Sequence, residues 1–215
     1  MLVLCIGDLH IPSKAIKLPE AFKKPLSPGK LHHVISTGNL TNLATHDMLR
    51  DLASNNLLGV AGEFDDLEFP SKLVENLGGI RVGITHGHRV IPRGNIDALA
   101  ALTRRWDVDI LVVGGMPEFA IHQIDGRFII CPGSATGIAM PPYTAARPSF
   151  AVLDLQLDRF GVYHYSVDDS GALSVNKESY LLHEEEEEDK EGQLAEGEER
   201  MLEDEEDDDD DEANL

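Results

Sequence analysis

Asp8 and His10 open the argument, because they are two residues apart and end an apolar run that begins at Met1. On an extended chain they leave the backbone on the same side. Placed at the carboxyl end of a buried strand, they are positioned as open α/β sheets position their ligands. A carboxylate and an imidazole together are suitable ligands for a divalent metal. Further polar clusters recur along the chain. They are Gly38-Asn39, Gly62-Glu63-Phe64-Asp65, His86-Gly87-His88 and Gly114-Gly115-Met116-Pro117. The imidazoles and carboxyls among them suit metal binding and acid–base chemistry. Pro117 brings no ligand atom and Phe64 no titratable proton.

The elements that must hold these clusters follow from the apolar pattern. Residues 1–6 form an unbroken apolar run, as expected of a strand covered on both faces. Short strands are expected at 32–36, 57–61, 80–84 and 109–113, each running into one of the clusters. Helical spacing appears at 46–54, 70–76 and 96–106, with Asn95 as N-cap of the last. A single helical turn is expected at 21–24, within a stretch interrupted by Pro12, Pro19, Pro25 and Pro28. From Phe119 the pattern becomes antiparallel. Strands 119–124 and 127–131 flank Asp125-Gly126, a strong hairpin signal. Strands 149–157 and 160–167 flank Asp158-Arg159, and a last strand spans 173–181. βαβ units followed by hairpins predict an α/β fold, a sandwich of two facing sheets with helices outside.

Charge separates the chain into two parts. The net charge is −21 over 215 residues. Residues 184–215 carry 20 acidic side chains against Lys190 and Arg200. Residues 1–183 hold 19 acidic and 16 basic side chains, a net of −3. We expect one globular domain over 1–183 and a disordered acidic low-complexity tail over 184–215. The near-neutral domain has no basic stripe, so nucleic acid is not an expected partner. Cys5 and Cys131 lie in or beside apolar runs and are expected to be free, buried thiols of a reducing compartment. No signal peptide or membrane span is expected, which points to a cytoplasmic protein.

The ordered series of polar clusters resembles the calcineurin-like metallophosphoesterases. That family shows Asp-x-His, Gly-Asp, Gly-Asn-His-Asp/Glu, a His in a Gly-His context, and Gly-His-x-His. Two metal ions there activate water and clamp a phosphate. Against that pattern Asn39 replaces the bridging carboxylate. Phe64 replaces the histidine that protonates the leaving group. Gly115 and Pro117 replace two imidazole ligands. The vestigial ligand set is Asp8, His10, Asn39, Glu63 and His86. The resemblance implies no required cofactor and one weakly held divalent metal at most.

Gly-Asp-Leu-His-Ile-Pro, Thr-Gly-Asn-Leu, Gly-Glu-Phe-Asp, Thr-His-Gly-His-Arg-Val-Ile-Pro and Cys-Pro-Gly-Ser-Ala-Thr-Gly narrow the resemblance to one branch. It is the family of the small subunit of the retromer complex. The resemblance implies a non-catalytic scaffold in endosomal protein transport, peripheral on endosomes and tied to membranes only through its complex. One implied surface docks a large α-solenoid subunit through Phe64, Asp65, Leu67, Val90 and Ile91. A second is a hydrophobic pocket for regulators formed by Leu2, Leu26, Val152, Tyr163, Tyr165 and Val175. The alternative expectation is a metal-dependent phosphoesterase with a reduced ligand set.

Overall fold

Among the described residues eleven strands and two helices follow the order foreseen, with one exception. The computed structural model describes residues 1–66, 68–144 and 146–182. The acidic segment 184–215, expected to be a disordered tail, lies outside the described residues, as does Leu67. The elements are β1 (Leu2–Ile6), β2 (His33–Ser36), α1 (Leu43–Leu52), β3 (Leu57–Gly59), β4 (Lys72–Leu77) and β5 (Ile80–Thr85). There follow α2 (Ile96–Trp106), β6 (Ile110–Val113), β7 (Phe119–Ile124), β8 (Arg127–Pro132), β9 (Ser149–Leu155), β10 (Arg159–Val167) and β11 (Leu173–Leu181). The turn expected at 21–24 is a 3₁₀ turn, Glu20–Phe22.

The exception is 70–76, expected as a helix and found as strand β4. Its side chains alternate in exposure, with Leu73 and Leu77 turned inward and Val74 outward. Gly78 and Gly79 both have positive φ, 69° and 97°. A two-residue hairpin loop of that kind requires φ above zero at both positions. The turn chemistry overrode the short helical spacing and paired β4 with β5.

Two mixed sheets result, with strand orders β11-β10-β9-β1-β2-β3 and β4-β5-β6-β8-β7. Strands β1, β2 and β3 run parallel in the first sheet, and β5, β6 and β8 in the second. The period of two distributes the apolar runs between layers. Val3 and Cys5 of β1, Ile110 and Val112 of β6, and Phe128 and Ile130 of β8 fill the core between the sheets. Leu4 and Ile6 face the opposite way, under α1 and the 3₁₀ turn. Leu111, Val113 and Ile129 lie under α2. Both helices begin at an asparagine. Asn42 Oδ1 accepts from Thr45 N–H and Asn95 Oδ1 from Ala98 N–H, each at 2.8 Å. Cys5 and Cys131 are both buried and unpaired. Burial pushes the Cys131 thiol pKa up to about 12. Among the described residues no helix is long and apolar enough to cross a membrane.

The sheets are also joined by a ring stack. His164 of β10 lies parallel to Phe119 of β7, with centroids 3.9 Å apart. Its Nε2 is buried without a hydrogen-bond partner. Burial holds the His164 pKa below the usual imidazole value of 6.5, partly offset by the Glu178 carboxylate. The unfolded chain therefore binds more protons below about pH 6.5, and stability falls as the pH drops through that window. His164→Phe keeps the stack and removes the titration. Its stability at about pH 7.5 should stay within about 1 kcal/mol of the parent. Its loss of stability on going to about pH 5 should be smaller than the parent's. Urea unfolding at the two pH values measures this, and an unchanged loss would refute the buried neutral state.

Candidate functional site

The polar clusters meet at one edge of the sandwich. Turns following β1, β2 and β3 of the first sheet face turns following β5 and β6 of the second. These are carboxyl ends of parallel strands, where α/β folds place their ligands. Asp8, His10 and Asn39 have φ of 50°, 49° and 58°, in the left-handed region. The extended geometry expected for Asp8 and His10 is therefore absent, because β1 ends at Ile6. Asp, Asn and His tolerate that region better than most side chains. Backbone bonds hold the turn, from Asp8 N–H to Gly38 O and from His10 N–H to Asn39 O, both 2.9 Å. Gly62 is required beside it, since a Cβ there would lie 2.2 Å from Asn39 Oδ1.

Asp8 is the centre of the site. Its Oδ1 accepts from Asn39 Nδ2 at 2.7 Å and lies 3.1 Å from His86 Nε2, contributed by the other sheet. His10 Nε2 is 3.8 Å away. Asp8 Oδ2 accepts from Gly115 N–H at 2.9 Å. Burial pushes the Asp8 carboxyl pKa up, but the contacts with His86 and Asn39 outweigh it and hold the pKa below the ordinary carboxylate value. His86 Nδ1 stands 3.1 Å from His88 Nδ1. Burial pushes the His10 pKa down, against the pull of the Asp8 charge. Both His10 ring nitrogens are buried without a partner.

Asp8, His10 and His86 converge from three turns, and the unpartnered His10 imidazole suits one divalent ion. Asn39 places its Nδ2 among them, 2.7 Å from His86 Nε2, and commits its Oδ1 to the Phe64 N–H at 3.1 Å. An amide N–H group there competes with a cation. The other half does not fit a second ion. Glu63 is paired to Arg93 Nη2 at 2.7 Å, and Gly115 and Pro117 carry no ligand atom. Asp8, His10 and His86 do not form a preorganised ligand group, and among the described residues no other three or more His, Cys, Asp and Glu do. Phe64 is 43% exposed and its ring cannot donate a proton. Its edge meets the His10 ring at 5.7 Å, and the Lys14 ammonium sits 4.9 Å above it.

Of the residues expected to dock a solenoid, Ile91 is 88% exposed and Val90 packs partly against the layer under α2. Asp65 is differently employed. Its carboxylate accepts three backbone N–H bonds, from Asn39 at 2.7 Å and from Gly62 and Thr41 at 2.8 Å. It ties the Gly62–Asp65 turn to the turn after β2.

The second expected surface lies on the outer face of the first sheet. Register places Val152 opposite Tyr163, and Tyr165 opposite Val175. Leu2 follows the same alternation through Leu4, which pairs with Val152. Leu26 packs on this face from the loop before β2. Tyr165 stacks on Phe150 at 4.8 Å, and Val175 is 47% exposed. Of the six, Leu26, Val152 and Tyr165 pack into the apolar cluster of this face, while Leu2, Tyr163 and Val175 share the face by register. Sequence reasoning missed Arg93 and the Gly115 N–H. It noted the Ser134 to Thr136 segment without a role. Ser134 Oγ donates to Asp8 O at 3.1 Å and Thr136 Oγ1 to Leu9 O at 2.9 Å, bracing the metal-site turn from behind.

Residues 1–158 match the model of the calcineurin-like phosphoesterase superfamily domain. The chain is 40% identical over 187 residues to vacuolar protein sorting-associated protein 29 of Schizosaccharomyces pombe, spanning 84% of this chain and 98% of that protein. Its fold matches the crystal structure of Chaetomium thermophilum Vps29 with a TM-score of 0.80 at 34% identity, covering 85% of this chain and 100% of that one. A structure of Entamoeba histolytica Vps29 complexed with Zn²⁺ matches with a TM-score of 0.76 at 36% identity, again over 85% and 100%.

Proposed function

The chain belongs to the calcineurin-like phosphoesterase superfamily and, within it, to the Vps29 family, and from that premise we propose that it serves as the non-catalytic scaffold subunit of a retromer complex. One observation carries the non-catalytic part. The position that must protonate a leaving group is a phenylalanine, in a site whose second metal position is taken up by an ion pair. The cleft between Asp8, Asn39, Glu63 and Gly115 is small, with space for about one water in its depth.

As a scaffold, the chain docks a large α-solenoid subunit through the edge carrying Phe64, Val90 and Ile91, and regulatory proteins through the Leu2–Val152–Tyr163–Tyr165 face. Tyrosines on a half-buried apolar face suit such recognition. The protein is cytoplasmic, reaching endosomal membranes through its complex, and supports protein retrieval there. One divalent ion, held weakly by Asp8, His10 and His86, is compatible with this role. The Zn²⁺ carried by the Entamoeba histolytica relative supports that part of the reading.

Two experiments test it. The purified chain should co-elute with the large α-solenoid subunit on size exclusion. Separate elution at micromolar concentration would overturn the scaffold assignment. The chain should also show no Mn²⁺-stimulated hydrolysis of an aryl phosphodiester above an Asp8→Ala control. Metal-dependent turnover that disappears in that variant would establish an enzyme.

A further inference from the structure

We infer that Arg93 is a built-in cation of the vestigial site, standing in for a second metal ion and disfavouring divalent cations there. Three observations support this. First, Arg93 Nη2 donates to Glu63 Oε2 at 2.7 Å, and the two side chains are only 17% and 25% exposed. The pair is partly screened by water, and it occupies the Glu63 carboxylate. Second, Arg93 lines one cleft with Asp8, Asn39, Glu63, Gly115 and Pro117. Its charge therefore sits in the same small space as the remaining metal-ligand candidates. Third, its Nη1 is buried and has no hydrogen-bond partner. A guanidinium is never deprotonated in proteins, so a permanent positive charge stands beside the Glu63 carboxylate.

The consequence is electrostatic and local. Glu63, the carboxylate that would hold a second ion, is already neutralised. Any divalent ion entering the cleft meets the guanidinium charge. The loop that carries Arg93 joins β5 to α2, and Gly94 has a φ of 73° immediately after it. That backbone conformation favours glycine. The inference concerns cation binding alone and holds whichever partner the scaffold takes.

The test uses MnCl₂ as probe and the full chain. The acidic segment 184–215 will attract Mn²⁺ too, so the readout must be local. We choose paramagnetic broadening of the Gly115 and Phe64 backbone amide signals in ¹⁵N-labelled protein. Arg93→Gln should need at least tenfold less Mn²⁺ than the parent for half-broadening of these two signals. Arg93→Lys, which keeps the charge, should behave as the parent. Adding Glu63→Gln to Arg93→Gln should abolish the gain. Arg93→Met replaces Arg93→Gln if the latter does not fold, with the same expected result. Broadening of either neutral variant within twofold of the parent would overturn the inference. So would a gain that survives Glu63→Gln.

Discussion

Ile91→Asp should fold like the parent chain and bind the C-terminal half of the large α-solenoid subunit at least a hundredfold more weakly. Ile91 is the most exposed large apolar residue near the former metal site, at 88%. It sits between Val90, which packs inward, and Pro92, on the loop that also carries Arg93. In the free chain an aspartate there faces water and disturbs no packing. A stable interface buries on the order of 1,000 Å² or more, and a few apolar anchors near its centre carry most of the binding energy. Burying an unpaired carboxylate at such an anchor costs on the order of 3–5 kcal/mol, which corresponds to a hundredfold loss or more. Isothermal titration of parent and variant measures the loss, with circular dichroism reporting the fold. Equal affinity in a folded variant would place the docking surface elsewhere.

Asp65→Ala should destabilise the chain by about 3 kcal/mol, although residue 65 is not in the core. Three backbone N–H groups lose a charged acceptor at once, those of Asn39, Thr41 and Gly62. Hydrogen bonds to charged acceptors contribute about 1.5 kcal/mol or more each, and they are not additive when they share one carboxylate. Asp65→Asn retains one carbonyl oxygen in nearly the same place and should lose about half as much. The loss acts on function through position. The Asp65 carboxylate fixes the turn that presents Phe64 and the Asn39 that contacts Asp8. Chemical denaturation of the two variants provides the measurement. A loss below about 1 kcal/mol for Asp65→Ala would show that the turn holds itself without the carboxylate.

Much of the architecture was written in local pattern. The strand runs of β1, β6 and β8 alternate between two buried layers, so their continuous apolar character identified them. Asp125-Gly126 marked the β7–β8 hairpin, and Asn95 marked the start of α2. β4 departs from the helix expected over 70–76 because a short apolar spacing is ambiguous between periods, and the Gly78-Gly79 turn decides it. Asn42 was overlooked as an N-cap because α1 begins with Leu43, 60% exposed and outside the apolar stripe.

For the site, the residue types alone told which groups are missing. Phe64, Gly115 and Pro117 cannot supply an acid or an imidazole wherever the fold places them, and that follows from the sequence alone. Which groups touch which was decided by tertiary structure. Asp8 meets His86 across two sheets, over a separation of 78 residues. Asp65 turns its carboxylate back onto three amides. Arg93 reaches Glu63 from a loop 30 residues away. An isolated arginine in a Pro-Arg-Gly segment has no periodic or spacing signal. Its charge gains significance only from the tertiary fold, which sets its guanidinium against one carboxylate in the same cleft.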